Sequence, residues 1–130
     1  ISLMNKKSTT GLSIFLKELL ETLNDSTIAY RQYIEGGKTF QFAQQLKLYN
    51  RKAFDLLTSN KQLLPENLQQ DADALIQHYR VWTEKWESLA KELKPVPGDL
   101  FVFANTITFP RQAAHNLETT YETLKKENKQ

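Results

Sequence analysis

The 130-residue chain contains no cysteine, and that single absence removes several chemistries at once. Disulfides, thiolate zinc sites, iron–sulfur clusters, thioether-attached haem and cysteine nucleophiles are all excluded. Glycine and proline are scarce, four of each, and 40% of the residues are hydrophobic while 25% are charged. That is the composition of a folded chain and not of a disordered or collagen-like one. At this length one domain is expected.

Charge of one sign is lacking too. Seventeen Lys+Arg against fifteen Asp+Glu leave +2, too little to argue for nucleic acid. Lys47, Arg51 and Lys52, with Arg80 and Lys85, make only a sparse basic patch, so no nucleic-acid partner is expected. Long apolar runs are also missing: none approaches the roughly 18 residues of a membrane-spanning helix, and no membrane partner is expected. The basic Lys6-Lys7 resembles the start of a signal peptide, but Lys17, Glu18 and Glu21 interrupt the apolar run that follows. Met4-Asn5-Lys6-Lys7 reads as a native start, with Ile1 to Leu3 foreign to it. The expected location is the cytoplasm; the alternative is an extracytoplasmic sensor domain cut from flanking membrane helices. Residues 1–8 are expected to be a disordered or foreign tail, 9–127 the domain, and 128–130 a frayed end.

What the chain does have is helical periodicity. In a first segment, positions 12, 16, 19, 23, 26, 30 and 33 step by threes and fours, with Thr9 or Thr10 as cap and Gly36-Gly37 as stop. A second runs from about Thr39 to Ser59 with Phe42, Leu46, Tyr49, Ala53 and Leu56 on its stripe; Phe54 and Leu57 widen it, and Asn60 ends it. The third starts at Pro65, and Leu68, Ala72, Leu75, Tyr79, Trp82, Trp86, Leu89 and Leu93 repeat 4-3-4-3-4-3-4. Lys94-Pro95-Val96-Pro97-Gly98 stops it.

The fourth segment is ambiguous. Leu100 to Phe109 is rich in β-branched and aromatic residues and, taken alone, reads as a strand. A lone strand would leave its ladder groups unpaired. Positions 100, 103, 107, 110, 114, 117, 121 and 124 also keep a helical step through Pro110, so the expectation is one helix kinked at the proline, or broken near Thr108. Four stripes and short loops predict an all-α, up-down-up-down antiparallel four-helix bundle.

Motifs for chemistry are thin. A carboxylate-bridged metal site needs Glu-x-x-His pairs, but Leu75 stands three before His78 and Gln112 three before His115. No metal and no cofactor are expected. Glu21-Thr22-Leu23-Asn24-Asp25 resembles a short piece of the first helix of cytochrome b562. The methionine ligand that precedes that piece is Leu20 here, and the histidine ligand near the chain end has no counterpart, so the haem is not carried over. Arg111, His115, Glu118 and Glu122 share one helix face. They read as a solvated face of weak charge pairs, or as an acid–base cluster similar to the Arg-plus-His site of helical HEPN ribonucleases, with a shorter gap than that family uses.

Two further groups stand out. Leu100 to Phe109 is apolar nearly all round, so Phe101, Val102 and Phe109 become candidates for an interface. Tyr49, Tyr79, Trp82 and Trp86 are candidates for an interior ligand pocket, although rings at core spacing also simply fill a core. The first expectation is therefore a non-enzymatic interaction module of adaptor, regulatory or immunity type that meets a protein partner or a second copy of itself. The alternative is a small-molecule-sensing bundle, and the third is a ribonuclease using Arg111 and His115. A cavity above a few hundred Å3 at the tryptophans favours sensing; a closed core and a symmetric apolar contact favour interaction.

Overall fold

The computed structural model of the chain describes residues 6–105 and 107–128. Residues 1–5, including Met4, lie outside the described residues, as do Lys129 and Gln130 of the expected frayed end. Among the described residues the elements are α1 (Lys6–Glu35), α2 (Phe40–Asn60), a 3-10 turn (Lys61–Leu63), α3 (Glu66–Leu93) and α4 (Arg111–Asn128). The four helices pack against each other, α1 and α3 each lying against both α2 and α4. No described helix is long and apolar enough to cross a membrane.

Local chemistry accounts for most boundaries. Gly36-Gly37 ends α1, with the Gly36 amide donating to Gln32 and Gly37 at φ 85°, a left-handed backbone that suits glycine. Pro65 precedes α3 and its carbonyl accepts the first helical amides. At its upstream end α1 begins three residues before Thr9, inside the expected tail. Lys6 to Ser8, assigned to a tail, are helical, because no proline or glycine before Thr10 stops a helix growing outward from its buried stripe.

On α3, Leu68, Ala72, Leu75, Tyr79, Trp82 and Trp86 are buried as the stripe requires, but Leu89 is only half-buried and Leu93 is exposed. On α2 the buried line is Ala43, Leu46, Asn50, Ala53 and Leu57. Phe42, Tyr49 and Leu56, read as the stripe, are half-buried beside it. The offset is one residue, and a polar side chain, Asn50, conceals it. Two apolar clusters result. One gathers Leu16, Leu19, Leu57, Leu75 and Leu117, and the other Ala29, Leu46, Trp82, Trp86 and Phe101.

The largest departure lies between α3 and α4. The expected helix through 100–109 is not formed: residues 101–105 and 107–110 have no helical backbone, and α4 begins only at Arg111. Pro110 therefore bends no helix; its carbonyl accepts from Ala114 in the first turn of α4. Val102, Ile107 and Thr108 are β-branched, and Phe109 is held from helical backbone by the proline after it. The strap that forms instead is extended where it crosses α2. Phe40 and Gln41 donate their amides to the carbonyls of Asp99 and Pro97, Thr39 bridges Leu100, and the Phe101 amide donates to Lys38 at 2.9 Å.

Extended backbone has a period of two. Leu100 and Val102 accordingly point out, while Phe101 is 0% exposed and Phe103 half-buried. Phe101, a candidate interface residue by sequence, is thus a core residue. Its ring lies against Phe40, Trp86 and Phe103 at 5.1, 5.0 and 6.2 Å between centroids. The ladder groups expected to lie unpaired find other partners: Tyr33 donates its hydroxyl to the Phe101 carbonyl at 2.5 Å, and Lys85 its ammonium to that of Ala104 at 3.2 Å.

Candidate functional site

Because α4 starts late, the strap replaces the fourth helix beside the C-terminal half of α1 and the middle of α3, and it fills that space incompletely. A cleft of about 800 Å3 is left between α1, α3, the strap and the first turns of α4. Its apolar side is made by Leu20, Leu23, Leu46, Tyr79, Trp82 and Phe109. Its polar groups include Asn24, Asn50, His78, Arg111, His115 and Glu118. A second cavity of about 300 Å3 borders the first at Tyr30, Leu46, Trp82 and Asn105, and is lined further by Trp86, Phe101 and Val102.

Candidates that are far apart in the sequence thus meet in one place. Tyr79, Trp82, Phe109, Arg111, His115 and Glu118 all line the larger cleft, while Trp86 lines only the smaller cavity. Tyr49 lines neither and packs half-buried on the aromatic cluster. Glu122, on the same helix face as His115, is also outside both cavities. Arg111 and His115 are exposed. The His115 ring meets the Thr119 hydroxyl at 3.5 Å.

His78 and Asn50 were missed by sequence reasoning, and each left a signal. Asn50 occupies the 4-3-4 line 46, 50, 53, 57, where one polar residue among apolar ones marks a buried hydrogen bond; it accepts from Ser26 at 2.5 Å. His78 follows Leu75 by three and precedes Trp82 by four, at the edge of the α3 stripe. The imidazole is 6% exposed and stands edge-on to Tyr79 and Phe109, at 5.1 and 5.3 Å. Its Nδ1 is buried without a partner, and an unpaired buried acceptor or donor is unfavourable by about 1–3 kcal/mol. Desolvation holds the ring below its ordinary pKa, and a backbone hydrogen bond with Ile107 acts the other way more weakly. Burial likewise raises the Tyr79 phenol, which stays protonated.

The His78 shift has a consequence for stability. An unfolded histidine takes up its proton near pH 6.5, but folded His78 does so only at lower pH. The unfolded chain therefore binds more protons once pH falls below about 6.5, and stability is lost there. Urea midpoints measured from pH 7.5 to 5 should fall more steeply for the wild type than for His78→Gln. Parallel slopes would show that folded His78 protonates normally.

No cluster of His, Asp or Glu among the described residues is arranged to hold a metal ion. Compared with protein-family models, with curated proteins and with solved structures, the chain finds no match. The cleft is therefore the feature on which a functional reading rests.

Proposed function

We propose that this protein binds a small molecule in the 800 Å3 cleft, without catalysing a reaction on it. The observation that carries the reading is a cavity of that volume bordered by the rings of Tyr79, Trp82 and Phe109 and by several polar side chains. Small-molecule sites have volumes of roughly 300–1,000 Å3, apolar and aromatic walls, and a few convergent polar groups. Leu23, Tyr79, Trp82 and Phe109 supply the walls; Asn50, His78 and Arg111 supply the polar groups.

We further infer an antiparallel up-down-up-down order for the helices. Supporting it, Lys47 of α2 pairs with Glu87 while Lys61, in the 3-10 turn just past α2, pairs with Asp73, and Asp71 meets Asn116 while His78 meets Phe109 just before α4, so that numbers rise along one helix as they fall along its neighbour. In such a bundle the cleft occupies one long side.

Ligand-observed NMR with a chemically diverse fragment library tests the reading. Ala114 is half-buried at the cleft and Asn24 is exposed at its rim, so Ala114→Phe and Asn24→Trp should each obstruct it. Fragments that bind the wild type should lose at least tenfold in affinity to whichever variant folds as the wild type does. A library with no binders, or binders indifferent to a folded obstructed variant, would overturn the proposal.

A second reading, contact with a protein partner or a second copy, is supported by the exposure of Leu93, Val96, Leu100 and Val102 at and beyond the end of α3. Among these is Val102, one of the three interface candidates.

A further inference from the structure

The strap that stands in for a fourth helix is held unequally along its length. Its first part is tied to the bundle: the Phe101 amide donates to Lys38, the Phe101 carbonyl accepts from Tyr33, and the Lys85 ammonium donates to the Ala104 carbonyl. Residues 107–109 are fastened differently. The Ile107 amide donates back to the Asn105 side chain at 3.3 Å, and the Phe109 carbonyl accepts from Arg111 at 2.9 Å, both bonds local to the strap and its exit. The contacts of this end with α3 centre on His78, through a backbone hydrogen bond with Ile107 and an edge-on packing of its ring on Phe109 at 5.3 Å. Tyr79 completes the group, 6.4 Å from Phe109 between centroids.

That fastening suits only a neutral imidazole. His78 is 6% exposed, and its Nδ1 is buried without a partner. Protonation places an N–H on both ring nitrogens, so Nδ1 becomes a donor with neither acceptor nor water, in a ring that now carries charge. An unpaired buried charge is among the costliest groups in a folded chain. The charged and titratable groups around it offer little compensation. On α3, Tyr79 is a neutral phenol, while Asp71 and Lys85 stand seven positions to either side and are engaged with Asn116 and Ala104. On α4, Arg111 and His115 bring positive charge or none, and Glu118 is exposed, its field screened by water. From α1 the Tyr30 phenol lines the cleft, and α2 and the described strap residues bring no titratable side chain to it.

The charged ring reaches water most cheaply by shedding the strap end, since α3 then keeps its own backbone hydrogen bonds. We infer that mild acid opens the cleft: protonation of His78 releases residues 107–109 from α3 while the four helices stay packed. Ile107, Thr108 and Phe109 line the cleft, so their release removes part of its wall. The inference goes beyond ligand binding and holds whether or not a ligand occupies the cleft.

Double electron–electron resonance on the full chain tests this, because a protein without cysteine takes spin labels only at introduced ones. Asn24 and Thr108 are exposed at the cleft, on α1 and on the strap, and Gln77 is exposed on α3. Labels at Asn24→Cys and Thr108→Cys should show a second, longer distance whose share rises as pH falls from 7.5 to 5. The released ring protonates near its ordinary pKa, so the ratio of long to short distances should rise by up to about 30-fold over that range. Labels at Asn24→Cys and Gln77→Cys should keep one distance, showing that α1 and α3 stay together. His115→Gln should leave the response in place. His78→Phe or His78→Gln, whichever folds as the wild type does, should abolish it. An unchanged Asn24–Thr108 distance at pH 5 overturns the inference, as does a response that survives the loss of His78. Both pairs separating together would mean that acid unfolds the bundle, which overturns it equally.

Discussion

Phe101→Ala is expected to destabilise the protein by about 3–5 kcal/mol, the range for emptying a buried phenylalanine site. In a domain of this size the melting temperature should fall by roughly 10–20 °C. Phe101 lies on an irregular strap, where substitutions are ordinarily mild, but its ring is fully buried against Phe40 and Trp86. Its backbone is held at both polar atoms, the amide by Lys38 and the carbonyl by Tyr33. Removing the ring therefore leaves a void that the strap cannot close by sliding. Phe101→Glu sharpens the test: a core residue made acidic should unfold the chain, whereas an interface residue made acidic would only separate copies of a folded protein. Differential scanning calorimetry and sedimentation velocity on both variants decide between these outcomes. A cost under about 1 kcal/mol for Phe101→Ala would show that the strap contributes no core.

The second large effect is expected on α3. Leu75 is fully buried between α3 and the leucines of α1 and α2, while Leu89 is half-buried near the end that α4 does not reach. Leu75→Ala should cost about 2–5 kcal/mol. Leu89→Ala should cost about 1 kcal/mol, since it has less area to lose and open space into which neighbours relax. Urea unfolding at pH 7.5 measures both. Equal losses would mean that the 4-3-4 stripe is buried to its last turn, contrary to the exposure of Leu93.

Much of the fold is legible in the order of residues. The eight-position stripe from Leu68 to Leu93 marks α3, and Gly36-Gly37 and Pro65 mark where helices stop and start. Such signals act within a few residues, through spacing, capping and allowed φ, and need no knowledge of distant partners. The α2 face was harder to see. Apolar counting selects Phe42, Tyr49 and Leu56, whereas the buried line passes through Asn50, whose burial depends on Ser26 in another helix.

Residues 100–110 mark the limit. Helical spacing and strand composition compete there, and although Pro110 and the β-branched residues disfavour a helix, they do not say which side chains face inward. What does is distant: Tyr33, 68 positions away, accommodates the Phe101 carbonyl, and Trp86 and Phe40 accommodate its ring. The candidate site shares that dependence. The sequence by itself determined four helix-forming stretches, their stops, and the aromatic line of α3, because each follows from the conformational preferences of neighbouring residues. Only tertiary structure decided that Phe101 faces inward and that Tyr79, His78, Phe109 and Arg111 border one cleft. The reason is physical: a cavity is the space that packing leaves unfilled, and packing depends on which distant side chains meet.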